Sequence, residues 1–362
     1  MNERTADTGE LEAATASEPI LAVRDLRVWY GTMGEPVRAV DGVSLELRAG
    51  ETLGLVGESG CGKSTLGRAM MGLLPDGAAI AGEVQFRGRD LVGLSQADMR
   101  SLRGPELGLI FQEPMTRLDP LVTIEDHFLE TLRTHEPDMD TDAMRLRSLE
   151  ALAGMGIPPT RFKQYPHEFS GGMRQRIMIA LGVVLNPKVV IADEPTTALD
   201  VIVEAQILQI LADLRRNFDA ALLLITHNLG IVAETCDRVA VMYAGQIVEE
   251  GDARRVFAEP AHPYTRELLR STISLSTTGL HYIPGAPPSL VDPPPACRFH
   301  PRCPNAMRVC AQKDPIEVRF GAEEAQDRPA RVLCWLHGPE EEIPPGGEEP
   351  LERQEFAVAE EA

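Results

Sequence analysis

Gly57, Gly62, Lys63 and Ser64 fall in the spacing G-x-x-x-x-G-K-S, within the segment GESGCGKST that runs from Gly57 to Thr65. Glycines at those positions let backbone N–H groups wrap phosphate oxygens. A lysine there offers a compact positive charge to the terminal phosphates, and the serine offers a hydroxyl to Mg²⁺. Glu58, Ser59, Gly60 and Cys61 fill the loop, and Thr65 follows it into an apparent helix that adds its positive N-terminus. Lysine is scarce: Lys63 is one of four, with Lys163, Lys188 and Lys313. It stands where arginine would substitute poorly, because the loop needs a point charge. A second group of acids, Asp193 and Glu194, ends the apolar run VVIADE. The first acid at such a strand end helps hold Mg²⁺, and the next can polarise an attacking water.

A third segment, SGGMRQ from Ser170, opens an apolar helix. Ser170 is a good N-cap, and Gly171 and Gly172 leave bare N–H groups at the helix start, which makes a second anion site. It lies about 110 residues beyond the first. One nucleotide touching both within one domain is hard to arrange. Two domains packed head to tail would set each SGG over the other's phosphates. Gln112 ends LGLIF, where its amide would reach Mg²⁺ or the water; His227 follows ALLLIT; Tyr30 precedes a loop and would stack on adenine. Each of these three says little alone. Their order along the chain is the argument.

These groups need a scaffold. Leu21, Val23, Leu26, Val28 and Tyr30, then Val43, Leu45 and Leu47, alternate as half-buried strands. TLGLVG, LGLIF, VVIAD and ALLLIT are short continuous apolar runs of covered-strand type. From Gln112 to about Leu185 strand signals are scarce and helical ones dominate. Val203, Ile207, Ile210, Leu211 and Leu214 mark one face of a later helix. Strands alternating with helices predict an α/β fold with a largely parallel sheet. RVAVMYAGQIVEEG reads as a hairpin turning at Ala244-Gly245.

The formal charge is −20, in a chain of 362 residues. Residues 1–18 carry five acids and one arginine, and residues 338–362 carry nine glutamates and one arginine. Both ends read as solvated, disordered tails. The remaining acidity argues against a nucleic-acid partner. The N-terminus lacks an apolar signal core, which predicts no export, and no apolar run approaches the ~20 residues of a membrane helix.

After about Ser276 the chain turns dense in Pro and Cys, and we expect a separate small module there. Cys297, Cys303, Cys310 and Cys334 cluster in it, whereas Cys61 and Cys236 read as small, partly buried residues. Four cysteines in a Pro-rich module suit a Cys₄ metal site. The spacing alone leaves zinc, an iron–sulfur cluster and metal-free thiols all open, although the lack of a C-x-x-C pair weakens a zinc ribbon.

Taken together, the motifs resemble the ATP-binding-cassette (ABC) ATPases. Tyr30, GESGCGKST, Gln112, FSGGMRQ, VVIADE, TALD from Thr197 and His227 occur in that family's order. Phe169 and Met173 stand where many relatives have Leu and Gln. That form, with IFQEPMTRLDP, HPYTRELL and IPGAPPSL…CRFHPRCP, is similar to the oligopeptide/dipeptide/nickel importer branch. The resemblance covers about residues 19–337 and implies a P-loop (RecA-like) core with an antiparallel β subdomain. A helical insert over about 112–185 belongs to an ATPase domain at 19–275, followed by the Cys module at 276–337.

The resemblance also implies roles. Lys63, Gln112, Glu194 and His227 would serve catalysis, with Glu194 as general base and His227 on the γ-phosphate. Tyr30, Gly57 through Thr65, Gln112 and Asp193 would bind ATP, with Ser64, Gln112 and Asp193 toward Mg²⁺. Ser170, Gly171, Gly172, Met173 and Asp200 would act on the ATP of a partner. Cys297, Cys303, Cys310 and Cys334 would carry a [4Fe–4S] cluster. The implied partners are a second, identical or homologous ATPase subunit, two membrane permeases and an extracytoplasmic solute-binding protein. The implied location is peripheral, at the cytoplasmic face of the inner membrane, with a permease helix docking in the groove beside Gln112. A soluble ABC ATPase of DNA repair or translation is the competing reading. It lacks the long coiled-coil insertion or second cassette those proteins carry. A P-loop kinase is disfavoured by SGGMRQ and ADEPTTALD.

Overall fold

The alternation that begins at Leu21 slips by one residue after Val23, and the reason is a β-bulge. In the computed structural model β1 (Leu21–Tyr30) loses register on both neighbours near Arg24–Asp25, where Asp25 takes φ 43°. The extra residue returns Leu26 and Val28 to the buried face. The structure describes residues 18–31, 34–111, 117–196, 201–218, 220–271, 281–321 and 330–351. β1 pairs antiparallel with β2 (Val37–Leu47) and β4 (Ala79–Phe86), and β5 (Arg89–Asp90) closes one edge.

The second sheet is the larger. β3 (Thr52–Val56), β6 (Leu107–Ile110), β7 (Val189–Asp193), β8 (Ala221–Ile225) and β9 (Arg238–Tyr243) run parallel, in the spatial order β9-β3-β8-β7-β6. Every residue of β3, β7 and β8 is buried. Both faces are covered, so alternation has no solvent side to record. β10 (Gln246–Asp252) returns antiparallel to β9. Ala244 and Gly245 both take positive φ at the turn, 46° and 85°, as a two-residue hairpin requires.

Hydrophobic packing separates two regions. One core joins the β1–β2–β4 sheet to the underside of β3 and the helix Lys63–Met70 through Leu66, Met70, Leu53 and Leu55. The other joins the helices Ile124–His135, Thr141–Gly154 and Gly171–Val183 to Val190, Ala192, Leu222 and Leu224 on the opposite sheet face and to Ile207 and Leu211 of the helix Val201–Phe218. The expected helical region between β6 and β7 is thus present. Thr123 and Asp140 cap its first two helices.

Two sequence expectations need correction. The Cys-rich module is not detached from the sheet: β12 (Ala330–Leu333) pairs antiparallel with β10, and β11 (Glu317–Phe320) pairs with β12. Strands of four residues are too short to show a period, so the sequence hid them. Nor does ordered structure stop at 337. Arg308 and Val309 donate backbone hydrogen bonds to Glu349 and Gly347, and Leu351 donates to Ala306. Net charge described the composition of that segment but not the backbone partners that the module offers it. The rest of the acidic tails and the expected module start near Ser276 lie outside the described residues.

Candidate nucleotide site

The loop after β3 bends where only glycine fits. Gly62 has φ 108°, and a Cβ there would lie 2.0 Å from the Ala39 carbonyl oxygen; at Gly57 it would lie 2.1 Å from that of Met242. Gly62 is the N-cap of the helix Lys63–Met70 and contributes no side-chain oxygen, which leaves the first N–H groups turned to the loop. Lys63 is 5% exposed, and its Nζ donates to the carbonyls of Gly57 at 2.8 Å and Glu58 at 3.0 Å. Cys61 is buried, as expected. Desolvation raises its thiol pKa against the opposing pull of Lys63, so it remains a neutral packing residue.

β7 lies two strands away from β3 in the sheet, and its end meets the same helix. Ser64 Oγ donates to Asp193 Oδ1 at 2.9 Å. Burial pushes the Asp193 carboxyl pKa upward, while Ser64, Arg68 and Lys63 pull it down and Glu194 adds to the rise. A dication between the serine and the aspartate would relieve that cost. Glu194 takes φ 45°, a sharp departure from the strand, and its N–H donates to the Ile225 carbonyl at 2.9 Å. The turn directs its carboxylate to His227, with Oε2 3.4 Å from Nδ1. The histidine is 61% exposed in its side chain and the glutamate 15%, so the pair stands at the mouth of the site. Tyr30 reaches Thr65, hydroxyl to hydroxyl, at 3.4 Å.

Ser170 caps the helix Gly171–Val183 through an acceptor contact from the Met173 N–H at 3.4 Å. Gly172 leaves no room for a side chain: a Cβ would sit 2.7 Å from Val203 Cγ1. Arg161 lies over the Phe169 ring, 4.3 Å from its centroid, and donates to Met173 Sδ at 3.1 Å. The two residues that depart from the commoner signature are thus held by one guanidinium. The helix that SGG opens packs through Ile177 and Met178 into the helical core, whereas the helix that Lys63 and Ser64 open packs through Leu66 and Met70 into the other. Gln112 and the TALD segment with Asp200 lie outside the described residues.

Residues 40–197 match the family profile of the ABC transporters, and residues 248–310 match the C-terminal region of oligopeptide/dipeptide transporters. The chain is 46% identical to the dipeptide transport ATP-binding protein DppD of Bacillus subtilis, over 88% of this chain and 95% of that one. It is also 46% identical to the oligopeptide transport ATP-binding protein OppD of Salmonella typhimurium, over 85% and 92%. The chain belongs to the ABC transporter ATP-binding family. Solved cassettes agree. A dimeric MJ0796 bound to ADP and Pi superposes with TM-score 0.58 at 26% identity, over 65% of this chain and 99% of that one. The cbiO1 cassette of Clostridium perfringens gives 0.58 at 28%, over 67% and 92%. This cassette is therefore an ABC-type ATPase with a C-terminal extension.

The extension makes contacts that sequence reading missed. Arg302 donates two hydrogen bonds to the Glu58 carboxylate, and Arg298 donates to Asp41 and to the Ala244 carbonyl. Burial works against the charge of Arg302, but its bonds to Glu58 and Tyr243 outweigh that and raise its pKa. Tyr264, fully buried, accepts the Glu58 N–H at 2.9 Å. Glu58 and Arg302 are 244 residues apart, so no local pattern joins them.

None of the six cysteines is in a disulfide. Burial, with a smaller contribution from the neighbouring thiols of Cys303 and Cys310, pushes Cys297 and Cys334 up to about 12. Among the described residues no group of three or more His, Cys, Asp or Glu is arranged to hold a metal ion. The expected cluster ligands therefore gather in one module without forming a ready ion site.

Proposed function

We propose that this cassette is the ATP-hydrolysing subunit of an importer for peptides. It would pair with a second cassette beneath two membrane permeases that receive solute from a binding protein. The observation that supports this reading is that the helix opened by Lys63 and the helix opened by SGG pack into different cores of one chain. Lys63 with Ser64 would hold the phosphates of one ATP, while Ser170, Gly171, Gly172 and Met173 would close over the ATP of the partner. Asp200 would communicate between the two halves.

Within the site, Lys63 and the loop N–H groups bind the β- and γ-phosphates, and Tyr30 stacks on adenine. Ser64, Asp193 and Gln112 would hold Mg²⁺, which would neutralise phosphate charge. Glu194 orients and deprotonates the water, and His227 holds Glu194 and meets the γ-phosphate. Catalysis is then positioning and charge neutralisation, with water as nucleophile. The peptide assignment draws on the relatives' names and on the matched C-terminal region. A role in repair or translation has no such support.

Docking to a membrane partner is supported by apolar side chains left in solvent on the helical region. Leu121 is 85% exposed and Leu146 60%. Among the described residues no helix is long and apolar enough to cross a membrane, so attachment would be through the permeases, at the cytoplasmic face. Co-expression with peptide-importer permeases, detergent extraction and mass spectrometry test this. Recovery with two permeases and peptide-stimulated ATPase activity is expected. Purification without any permease would overturn the importer reading.

Cys297, Cys303, Cys310 and Cys334 are further proposed to carry a [4Fe–4S] cluster. The donor set is thiol only, the type that soft metals and iron–sulfur clusters take, and Cys297 donates its backbone N–H to the Cys310 carbonyl at 3.0 Å; the four would have to draw together to enclose a cluster. The cluster would tie together the module's Pro-rich loop and β12.

A further inference from the structure

We propose that Arg302 of the C-terminal module is a positioning residue for the phosphate loop, acting through Glu58. This rests on the loop binding ATP. Glu58 puts a carboxylate into a loop built to receive phosphates, and like charges there oppose binding. Arg302 answers that charge with a two-point fork: Nη1 to Oε2 at 2.7 Å and Nη2 to Oε1 at 3.0 Å.

The arginine is itself fully engaged. Its remaining donors go to the Tyr243 hydroxyl at 3.3 Å, the Ile283 carbonyl at 3.2 Å and the Pro284 carbonyl at 3.0 Å, so all five N–H groups are used. Its side chain is 6% exposed. The seat beneath it is aromatic: Tyr243, Tyr264 and Phe299 pack with ring centroids 4.5–5.4 Å apart.

Glu58 is therefore held at three points. Tyr264 takes its N–H, Arg302 its carboxylate, and Lys63 donates to its carbonyl. When phosphate arrives, Lys63 turns to it and gives up the carbonyl. The two contacts from the C-terminal part of the chain remain and keep the loop's shape. The module thus supplies a charge and a fixed wall to a site whose motifs all lie upstream of it.

The test uses the full chain, with equilibrium binding of a fluorescent ATP analogue and steady-state ATPase rates. In Arg302→Met we expect ATP affinity to fall about tenfold, with the loss in KM rather than kcat. Adding Glu58→Gln to that variant should restore affinity to within about threefold of the parent, because the unpaired carboxylate is gone. A purely structural role for Arg302 would not be rescued by removing a negative charge. If Arg302→Met does not fold, Arg302→Lys takes its place: it keeps charge but not the fork, and an affinity loss of a few-fold in KM is expected, with parental affinity overturning the inference. Parental affinity in the single variant, or no rescue in the double, overturns the inference. Failure of the unsubstituted chain to bind ATP would instead overturn the function proposed above.

Discussion

Ser64 and Asp193 meet across 2.9 Å, the serine at the first turn of the phosphate-loop helix and the aspartate at the last position of β7. Burial makes the aspartate's charge costly at that point, and a dication would share it. Asp193→Asn should raise the Mg²⁺ concentration for half-maximal ATPase activity by at least roughly 10–100-fold, the loss that follows removal of a partner even one shell from a metal. A Mg²⁺ titration of the rate checks this, and an unchanged midpoint would rule the pair out as a metal seat.

Glu194→Gln should keep ATP binding and lower turnover by roughly 10²–10⁴-fold. It should also accumulate as a dimer in ATP, visible by size-exclusion chromatography. Near-parental turnover would refute its assignment as the base.

Gly62→Ala places a methyl 2.0 Å from the Ala39 carbonyl oxygen at a φ of 108°. The backbone strain alone costs on the order of 1–3 kcal/mol, and the clash must open the loop as well. A lower denaturant midpoint together with loss of nucleotide binding is expected. Parental values of both would show that the loop is more plastic than its geometry implies.

His262 caps the helix Pro263–Arg270 with its Nδ1, and burial, with His337 and Arg266 nearby, lowers its pKa from 6.5 to about 3. The unfolded chain therefore takes up a proton that the fold excludes, and stability is lost as pH falls from 6.5 towards 3. Glu249, raised by burial although it accepts the N–H groups of Ala261 and His262, works in the opposite direction over its own range. His262→Asn retains a capping oxygen without the titration. Its melting temperature should fall less than the parent's between pH 7 and pH 4.5, and identical slopes would exclude His262 as the source.

Anaerobically purified protein should show an absorbance band near 400 nm with iron and sulfide in equal amounts. Substituting any of Cys297, Cys303, Cys310 or Cys334 by Ser should remove it. Abundant zinc without iron would dismiss the cluster.

The nucleotide site was legible in sequence because its parts are local: a loop between one strand and one helix, an acid pair at a strand end, a cap before a helix. Each needs only a few consecutive residues to define its backbone. The parallel strands were legible too, since burial on both faces leaves an unbroken apolar run. β11 and β12 were not, for four residues carry too little periodicity.

By itself the sequence determined which residues are the candidates for phosphate and metal, and that two glycine-opened helix starts could each receive an anion. Only the tertiary structure decided that those two helices pack into separate cores, that Glu194 turns toward His227, and that a C-terminal arginine reaches the phosphate loop. The reason is physical. A hydrogen bond between residues 244 positions apart leaves no local trace, because what brings Arg302 to Glu58 is the packing of Tyr243, Tyr264 and Phe299 beside them.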